Sequence, residues 1–162
     1  MAVALITGAN RGIGLALVKA YAGQRDKVFA TVRRTSDRAE LDALAAAQPK
    51  WVEVIEMDVS DPAEIGRARR KLEAEPLDVL INNAGIGGPD RQSATDMDYD
   101  GLAEALLVNS IAPLRIANAF LPNVKAAKGL PDFNALQPVP LIFDDLGDGR
   151  KTVELLREAN LL

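Results

Sequence analysis

The chain has 162 residues, 48% of them apolar, and a formal net charge of −4, which suits one folded domain with a buried core. It contains neither cysteine nor histidine, which excludes disulfides, thiolate and imidazole metal sites, and nucleophiles that depend on a histidine base. Because the net charge is negative and only 4% of the residues are aromatic, we expect no nucleic-acid partner. No charged leader precedes the first apolar run, and no uninterrupted apolar run approaches the ~20 residues of a membrane span. We therefore expect a cytoplasmic protein without a membrane partner.

Short apolar runs alternate with amphipathic segments along most of the chain. The apolar runs predict four strands, at residues 2–6, 28–32, 52–57 and 77–81. The segments between them predict helices at 11–22, 38–47 and 61–75, and the third begins with an Asp-Pro-Ala-Glu capping box. A polar loop leads to a long helix over 101–125, with a kink expected between 109 and 113. Such alternation is typical of an α/β fold in which helices cover both faces of a parallel sheet.

A glycine-rich segment, Thr-Gly-Ala-Asn-Arg-Gly-Ile-Gly at residues 7–14, joins the first strand to the first helix. Gly8 allows a sharp turn off the strand, Gly12 lets a pyrophosphate approach the backbone, and Gly14 lets the helix pack close to the strand. The helix N-terminus adds unpaired N–H groups and a partial positive charge for phosphates. Alone, this segment could also be an ordinary strand-to-helix turn, so motifs further along the chain decide its meaning.

Three further motifs lie where later elements end or bend. Asp58-Val59 ends the third strand, Asn-Asn-Ala-Gly at 82–85 ends the fourth, and Val108-Asn109 with Pro113 lies in the long helix. With the Gly-x-x-x-Gly-x-Gly spacing after Thr7, they make residues 1–129 resemble the short-chain dehydrogenase/reductase family. The residues from Asn109 to Pro122 are most similar to those of small NADPH-linked carbonyl reductases and C-factor-like proteins. The resemblance implies a three-layer Rossmann-like domain with strand order 3-2-1-4, completed by a fifth strand but truncated relative to the family.

The resemblance also implies which residues hold a dinucleotide and which take part in catalysis. The cofactor residues would be Gly8, Asn10, Arg11, Gly12, Ile13, Gly14, Arg33, Asp58, Val59, Asn82, Ala84 and Gly85. Asp58 could accept a hydrogen bond from the adenine amino group or, alternatively, cap the next helix. Asn82 and Asn83 could line the cofactor or only satisfy loop backbone groups. Asn109 is the one catalytic residue that remains; in relatives it holds a water and bends the helix.

The end of the second strand predicts the choice of cofactor. Family members that bind NAD place Asp or Glu there, whereas this chain has Val32 followed by Arg33 and Arg34, and Arg11 precedes the second glycine of the loop. Converging guanidinium groups suit a 2′-phosphate. At about 1.5–3 kcal/mol per charge-assisted contact, NADPH would be preferred over NADH by roughly a hundredfold or more. The alternative is that these arginines are solvated surface charges.

The family's Ser and Tyr-x-x-x-Lys set is not found in this sequence. The two tyrosines, Tyr21 and Tyr99, have Arg25 and Ala103 four residues later, so neither forms the pair that would lower a tyrosine pKa for proton transfer. Three interpretations follow. The chain is by descent an NADP(H)-dependent oxidoreductase of small carbonyls or alcohols, or a non-catalytic dinucleotide-binding module, or a shortened inactive chain.

Beyond Gly129 the family pattern stops. We expect residues 130–162 to be a divergent tail that completes the same domain, with an edge strand over 139–143 beside the fourth strand. A helix over 151–162 would pack on the sheet or on another subunit of a homo-oligomer.

The acidic clusters do not predict a metal site. Residues 96–101 resemble the start of a calcium loop, but Leu107 stands where a bidentate Glu is required. A solvated loop before a helix fits this segment better. Asp144 and Asp145 could bind a hard cation, although adjacent carboxylates in a turn usually face water.

Overall fold

The computed structural model describes residues 1–127 of the chain. A central sheet is formed by β1 (Val3–Thr7), β2 (Lys27–Val32), β3 (Val52–Glu56) and β4 (Val79–Ile81). A two-stranded hairpin follows, formed by β5 (Gln92–Ser93) and β6 (Asp96–Met97). The helices are α1 (Gly12–Gly23), α2 (Ala39–Ala47), α3 (Pro62–Lys71), α4 (Tyr99–Leu106) and α5 (Ala112–Ala126), with a π-helical segment, Leu107–Ile111, joining the last two.

The central sheet is parallel, and its strand order is β3-β2-β1-β4, which confirms the order predicted from the sequence. The register pairs Thr7 with Thr31, Ile6 with Ile81, and Val32 with Glu56. The carboxyl ends of all four strands therefore lie at one edge of the sheet, and the loops that leave them meet there. The predicted fifth strand, at 139–143, lies outside the described residues.

Alternate side chains of the strands fill two separate cores, as expected for a sheet covered on both faces. Ala4, Ile6 and the even-numbered residues of β2 pack with α1 and with Leu41 of α2. Leu5 and Phe29 point to the other face and pack with α3 and with Phe120 of α5. The result is the three-layer α/β architecture that the alternation of segments predicts.

The start of α3 differs from the predicted capping box. Asp61 does cap the helix, accepting from the backbone N–H of Ala63 at 2.7 Å, and Pro62 occupies the first turn. Glu64 does not reach back to Asp61; it accepts instead from the backbone N–H of Asp58 and pairs with Arg67 at 3.2 Å. Only half of the capping box therefore forms, because Glu64 accepts a hydrogen bond from the backbone just after β3 instead of from Asp61.

The long helix is continuous from α4 to α5 and changes to π geometry over Leu107–Ile111, in the region where the sequence predicts a kink. By length and composition alone, the helix Tyr99–Ala126 could cross a membrane, since one 18-residue window within it has a mean hydropathy of 1.3; 28% of that window is buried. Core helices pass the same test, and Val108, Ala112 and Ile116 are buried in the second core. The hairpin β5–β6 was not predicted, since its strands are two residues long and three of their four residues are polar.

Candidate functional site

An open cleft of about 580 Å³ lies over the carboxyl ends of the four strands. Of the predicted cofactor residues, eleven line it: Gly8, Asn10, Arg11, Gly12, Ile13, Gly14, Arg33, Asp58, Val59, Ala84 and Gly85. Asn82 does not line the cleft, and its neighbour Asn83 does. The lining also includes Ser36, Ser60, Ile86, Gly87 and Glu104, which were not predicted. Hydroxyl and loop residues of this kind carry no sequence signal until the turns around them are known.

Each glycine of the 7–14 segment is required by the geometry of the loop. Gly8 has φ +66°, and a Cβ there would lie 2.7 Å from Cα of Ala84, which only a glycine can avoid. A Cβ on Gly14 would lie 2.3 Å from the carbonyl oxygen of Gly8. Gly12 has φ +55°, a left-handed conformation that strains any side chain, although no described atom beyond its chain neighbours lies within 4 Å of the position of a Cβ. Gly8 and Gly14 therefore close the loop against β4 and α1, while Gly12 borders open space.

The ends of β1 and β4 are locked together by Thr7 and Asn83. The Thr7 hydroxyl accepts from the backbone N–H groups of Asn83 and Ala84, both at 3.0 Å. The Asn83 amide donates in return to the carbonyl oxygens of Thr7, at 2.9 Å, and Gly8, at 3.1 Å. Asn83 thus satisfies loop backbone groups and also lines the cleft floor.

The adjacent Asn82 points elsewhere. Its Nδ2 donates to the carbonyl oxygen of Pro113 at 3.5 Å, so it contacts the first turn of α5. Its Oδ1 is buried and finds no partner within the described residues. Because consecutive side chains leave an extended segment in opposite directions, only one of the two asparagines can face the cleft.

Asp58 lies at the end of β3, in the wall of the cleft. Its Oδ1 accepts from the backbone N–H of Ser60 at 2.8 Å and from the Ser60 hydroxyl at 2.6 Å. These bonds hold the carboxylate in a local turn rather than at the start of α3, whose cap is Asp61. No hydrogen bond within the described residues uses Oδ2, so this oxygen is available to a ligand.

Two arginines border the cleft where β2 ends. Arg11 and Arg33 are exposed, and neither belongs to an ion pair within residues 1–127. Val32, the last residue of β2, is 2% exposed and offers no charge. Asn10 ties the two loops together by donating to the carbonyl oxygen of Asp37 at 2.9 Å. The local charge is therefore positive, which suits an anion.

Asn109 lies behind the cleft, in the π-helical segment. Its Oδ1 accepts from the backbone N–H of Ile86 at 3.0 Å, and its Nδ2 donates to the Ile86 carbonyl at 2.8 Å. This paired bond fixes which way the amide points and holds a residue that lines the cleft. The side chain to which the resemblance assigns a catalytic role therefore positions the loop after β4 in this structure.

Neither tyrosine lines the cleft. Tyr21 lies on α1, and burial together with the nearby Asp26 carboxylate raises the pKa of its hydroxyl. Tyr99 begins α4 and is 74% exposed. The described part of the chain thus places no phenol beside the cleft.

Comparison with known proteins agrees with this architecture. A family model described as short chain dehydrogenase matches residues 2–130. The chain belongs to the short-chain dehydrogenase family. The matched range includes the glycine loop, the four strands of the central sheet and the Asn-Asn-Ala-Gly turn.

Several members of the short-chain dehydrogenase family are similar over most of this chain. A 17-beta-hydroxysteroid dehydrogenase type 1 of Homo sapiens is 36% identical over 131 residues, which cover 76% of this chain and 39% of that protein. The crystal structure of NADPH-bound carbonyl reductase from chicken fatty liver is 36% identical, with a TM-score of 0.69, covering 77% of this chain and 52% of that one. A carbonyl reductase from Pseudomonas aeruginosa PAO1 in complex with NADP is 36% identical, with a TM-score of 0.71 and coverages of 76% and 56%. The chain thus spans about two fifths to a half of the relatives it matches.

Proposed function

We propose that this short-chain dehydrogenase chain binds NADP(H) in the cleft at the carboxyl edge of its sheet. The observation that carries the proposal is that Arg11 and Arg33 both lie at the cleft, while Val32, the last residue of β2, is uncharged. Guanidinium groups recognise phosphates, and the acidic side chain that would repel a 2′-phosphate is replaced by valine. The NADPH-bound and NADP-bound carbonyl reductases to which the chain is similar support the same choice.

The start of α1 is suited to a pyrophosphate. No side chain caps this helix, whose N-cap residue Arg11 is extended at φ −157°. The N–H groups of Gly12, Ile13 and Gly14 form no hydrogen bond to another described residue, since the first helical bond is from Leu15 to Arg11. Unsatisfied N–H groups and the helix dipole favour an anion at this position.

Asp58 and Val59 would border the adenine, with Oδ2 of Asp58 available as an acceptor. Asn83 fixes the floor under the dinucleotide by holding Thr7 and Gly8. When bound, NADPH supplies hydride. The side chains described here bind and orient it, and Asn109 keeps Ile86 in place at the wall.

The activity we propose by family membership is oxidoreduction of small carbonyls or alcohols, and we expect it to be very weak in this chain alone. General acid–base assistance contributes roughly a hundred- to ten-thousandfold to such reactions, and the sequence offers no Tyr-x-x-x-Lys pair to provide it. A non-catalytic dinucleotide-binding module is the second candidate, favoured by that missing pair. Cytoplasmic location and assembly into a homo-oligomer remain predictions from the sequence.

One sample can test binding and catalysis together. Titration followed by nucleotide fluorescence should give tighter binding of NADPH than of NADH, and Arg33→Asp should reverse the preference. Arg70→Asp, at an exposed arginine on α3 outside the cleft, is the matched control and should leave the ratio unchanged. Equal affinities of the unaltered chain for both cofactors would refute the role of the arginines. NADPH oxidation with small carbonyls, measured on the same sample, separates an enzyme from a binding module.

A further inference from the structure

A second cleft, of about 560 Å³, lies beside the cofactor cleft, between the loop after β4 and the start of α4. Ile86, Gly87 and Glu104 line both clefts, so the two clefts adjoin at these residues. A small molecule in the second cleft would therefore lie next to a dinucleotide bound in the first.

Defined contacts fix the walls of the second cleft. Asn109 holds Ile86 through both ends of its amide. Asp98 caps α4 by accepting from the N–H of Gly101 at 3.1 Å, and its own N–H donates to the carbonyl oxygen of Arg91 at 3.0 Å. Hydrogen bonds between protein groups thus define the walls of this space.

The charged side chains in this lining are mostly acidic. They comprise three carboxylates and one cation: Asp90, Asp98, Glu104 and Arg91. Arg91 pairs with Asp96 at 3.4 Å, and the helix N-terminus engages Asp98. Glu104 is exposed on the shared wall and makes no hydrogen bond or ion pair within residues 1–127. A ligand that spans the two clefts would meet the Glu104 carboxylate uncompensated by the described residues.

We infer that the second cleft receives the carbonyl compound, and that Glu104 selects uncharged or amine-bearing carbonyl compounds over carboxylates. This inference rests on the proposed function, because it places the hydride acceptor beside bound NADPH. Like charges repel and opposite charges attract across a few ångströms. Since Glu104 faces solvent, the effect on Kd is modest, roughly threefold for each sign of charge.

The experiment uses three probes of matched size: 4-acetylbenzoate, 4-acetylbenzamide and 4-acetylbenzylamine, which are anionic, neutral and cationic at pH 7. Each is titrated into the full-length ¹⁵N-labelled chain saturated with NADPH. The amide resonances of Gly87, Gly101 and Glu104 report binding whether or not turnover occurs. The benzoate should bind about threefold more weakly than the benzamide, and the benzylamine about threefold more tightly.

Glu104→Gln should bring the three Kd values within a factor of about two, and Glu104→Lys should invert their order. Glu73→Gln, the same change at an exposed position outside both clefts, should leave the order intact. Equal affinities for the three probes, no binding, or shifts outside the second cleft would overturn the inference while NADPH binding stands. Failure of NADPH itself to bind would overturn the proposed function and this inference with it.

Discussion

Thr7 shows how one hydroxyl can hold a cofactor cleft together. It is 1% exposed, ends β1, and serves two backbone N–H groups of the turn after β4 while donating to the Ile81 carbonyl at 3.4 Å. A buried N–H that loses its acceptor costs the free energy of desolvation without compensation. The side chain therefore couples the stability of the fold to the shape of the site.

Thr7→Val keeps the shape of this side chain and removes its acceptor. We expect a loss of about 2–4 kcal/mol in the free energy of unfolding, because the N–H groups of Asn83 and Ala84 are both left without a partner. Urea denaturation of the variant and the unaltered chain measures the difference. Thr7→Ser retains the hydroxyl and should recover most of the loss. A Thr7→Val variant within 0.5 kcal/mol of the original (about the precision of such comparisons) would contradict this account.

Gly14 provides a second test at the residue scale. A methyl group there would meet the Gly8 carbonyl at 2.3 Å and Nδ2 of Asn83 at 2.6 Å, so the loop must move. We expect Gly14→Ala to destabilise by about 1–3 kcal/mol and to weaken NADPH binding at least tenfold, roughly 1.4 kcal/mol. Gly66→Ala, inside α3 with ordinary space around it, should instead stabilise by about 1 kcal/mol through helix propensity. Calorimetric melting and nucleotide titration of both variants measure the contrast.

At the scale of elements, the sequence predicts the strands and their order well, because apolar runs and glycine turns are local signals. The side chains that complete the cleft were harder to predict. Asn82 and Asn83 are chemically identical, and only the direction of the chain after β4 decides which one faces the cleft. Glu64 has the spacing of a capping box, but the N–H of Asp58 lies within its reach in the folded chain. Such choices depend on distances between loops, which periodicity does not encode.

The π-helical segment places Asn109 against the loop after β4. A π turn inserts an extra residue into a helix, which reorients the side chains around it and is common at functional sites. Here the reoriented side chain bridges 23 positions of sequence to form two hydrogen bonds with Ile86. Through these two hydrogen bonds, the position of the cleft wall depends on the position of the long helix.

Asn109→Leu tests this bridge. The variant leaves the N–H and carbonyl of Ile86 unsatisfied, so we expect a loss of about 1–3 kcal/mol in stability and weaker NADPH binding. Amide hydrogen exchange should rise most at Ile86 and Gly87. Asn118→Leu, an exposed position on α5, is the control and should leave exchange in this loop unchanged. Equal protection of Ile86 in both variants would show that the Asn109 amide does not hold the loop.

At the scale of the whole molecule, the outer edge of β4 has no partner strand within the described residues. Bare edges pair readily with other chains. On the adjoining helices, three large aliphatic side chains are also exposed within residues 1–127: Leu106, Ile111 and Leu114. Both features predict that the described part of the chain needs a cover, from its own residues 130–162 or from another subunit.

We predict that the chain shortened to residues 1–131 aggregates, because the predicted strand over 139–143 would no longer cover the β4 edge. Size-exclusion chromatography with light scattering, at matched concentration, compares it with the full chain. Leu141→Asp in the full chain should reproduce the defect by placing a charge in that predicted strand, whereas Ala135→Asp, outside the predicted elements, should not. A soluble, monomeric shortened chain with unchanged NADPH affinity would instead show that the sheet ends at four strands and that residues 132–162 are an appendage.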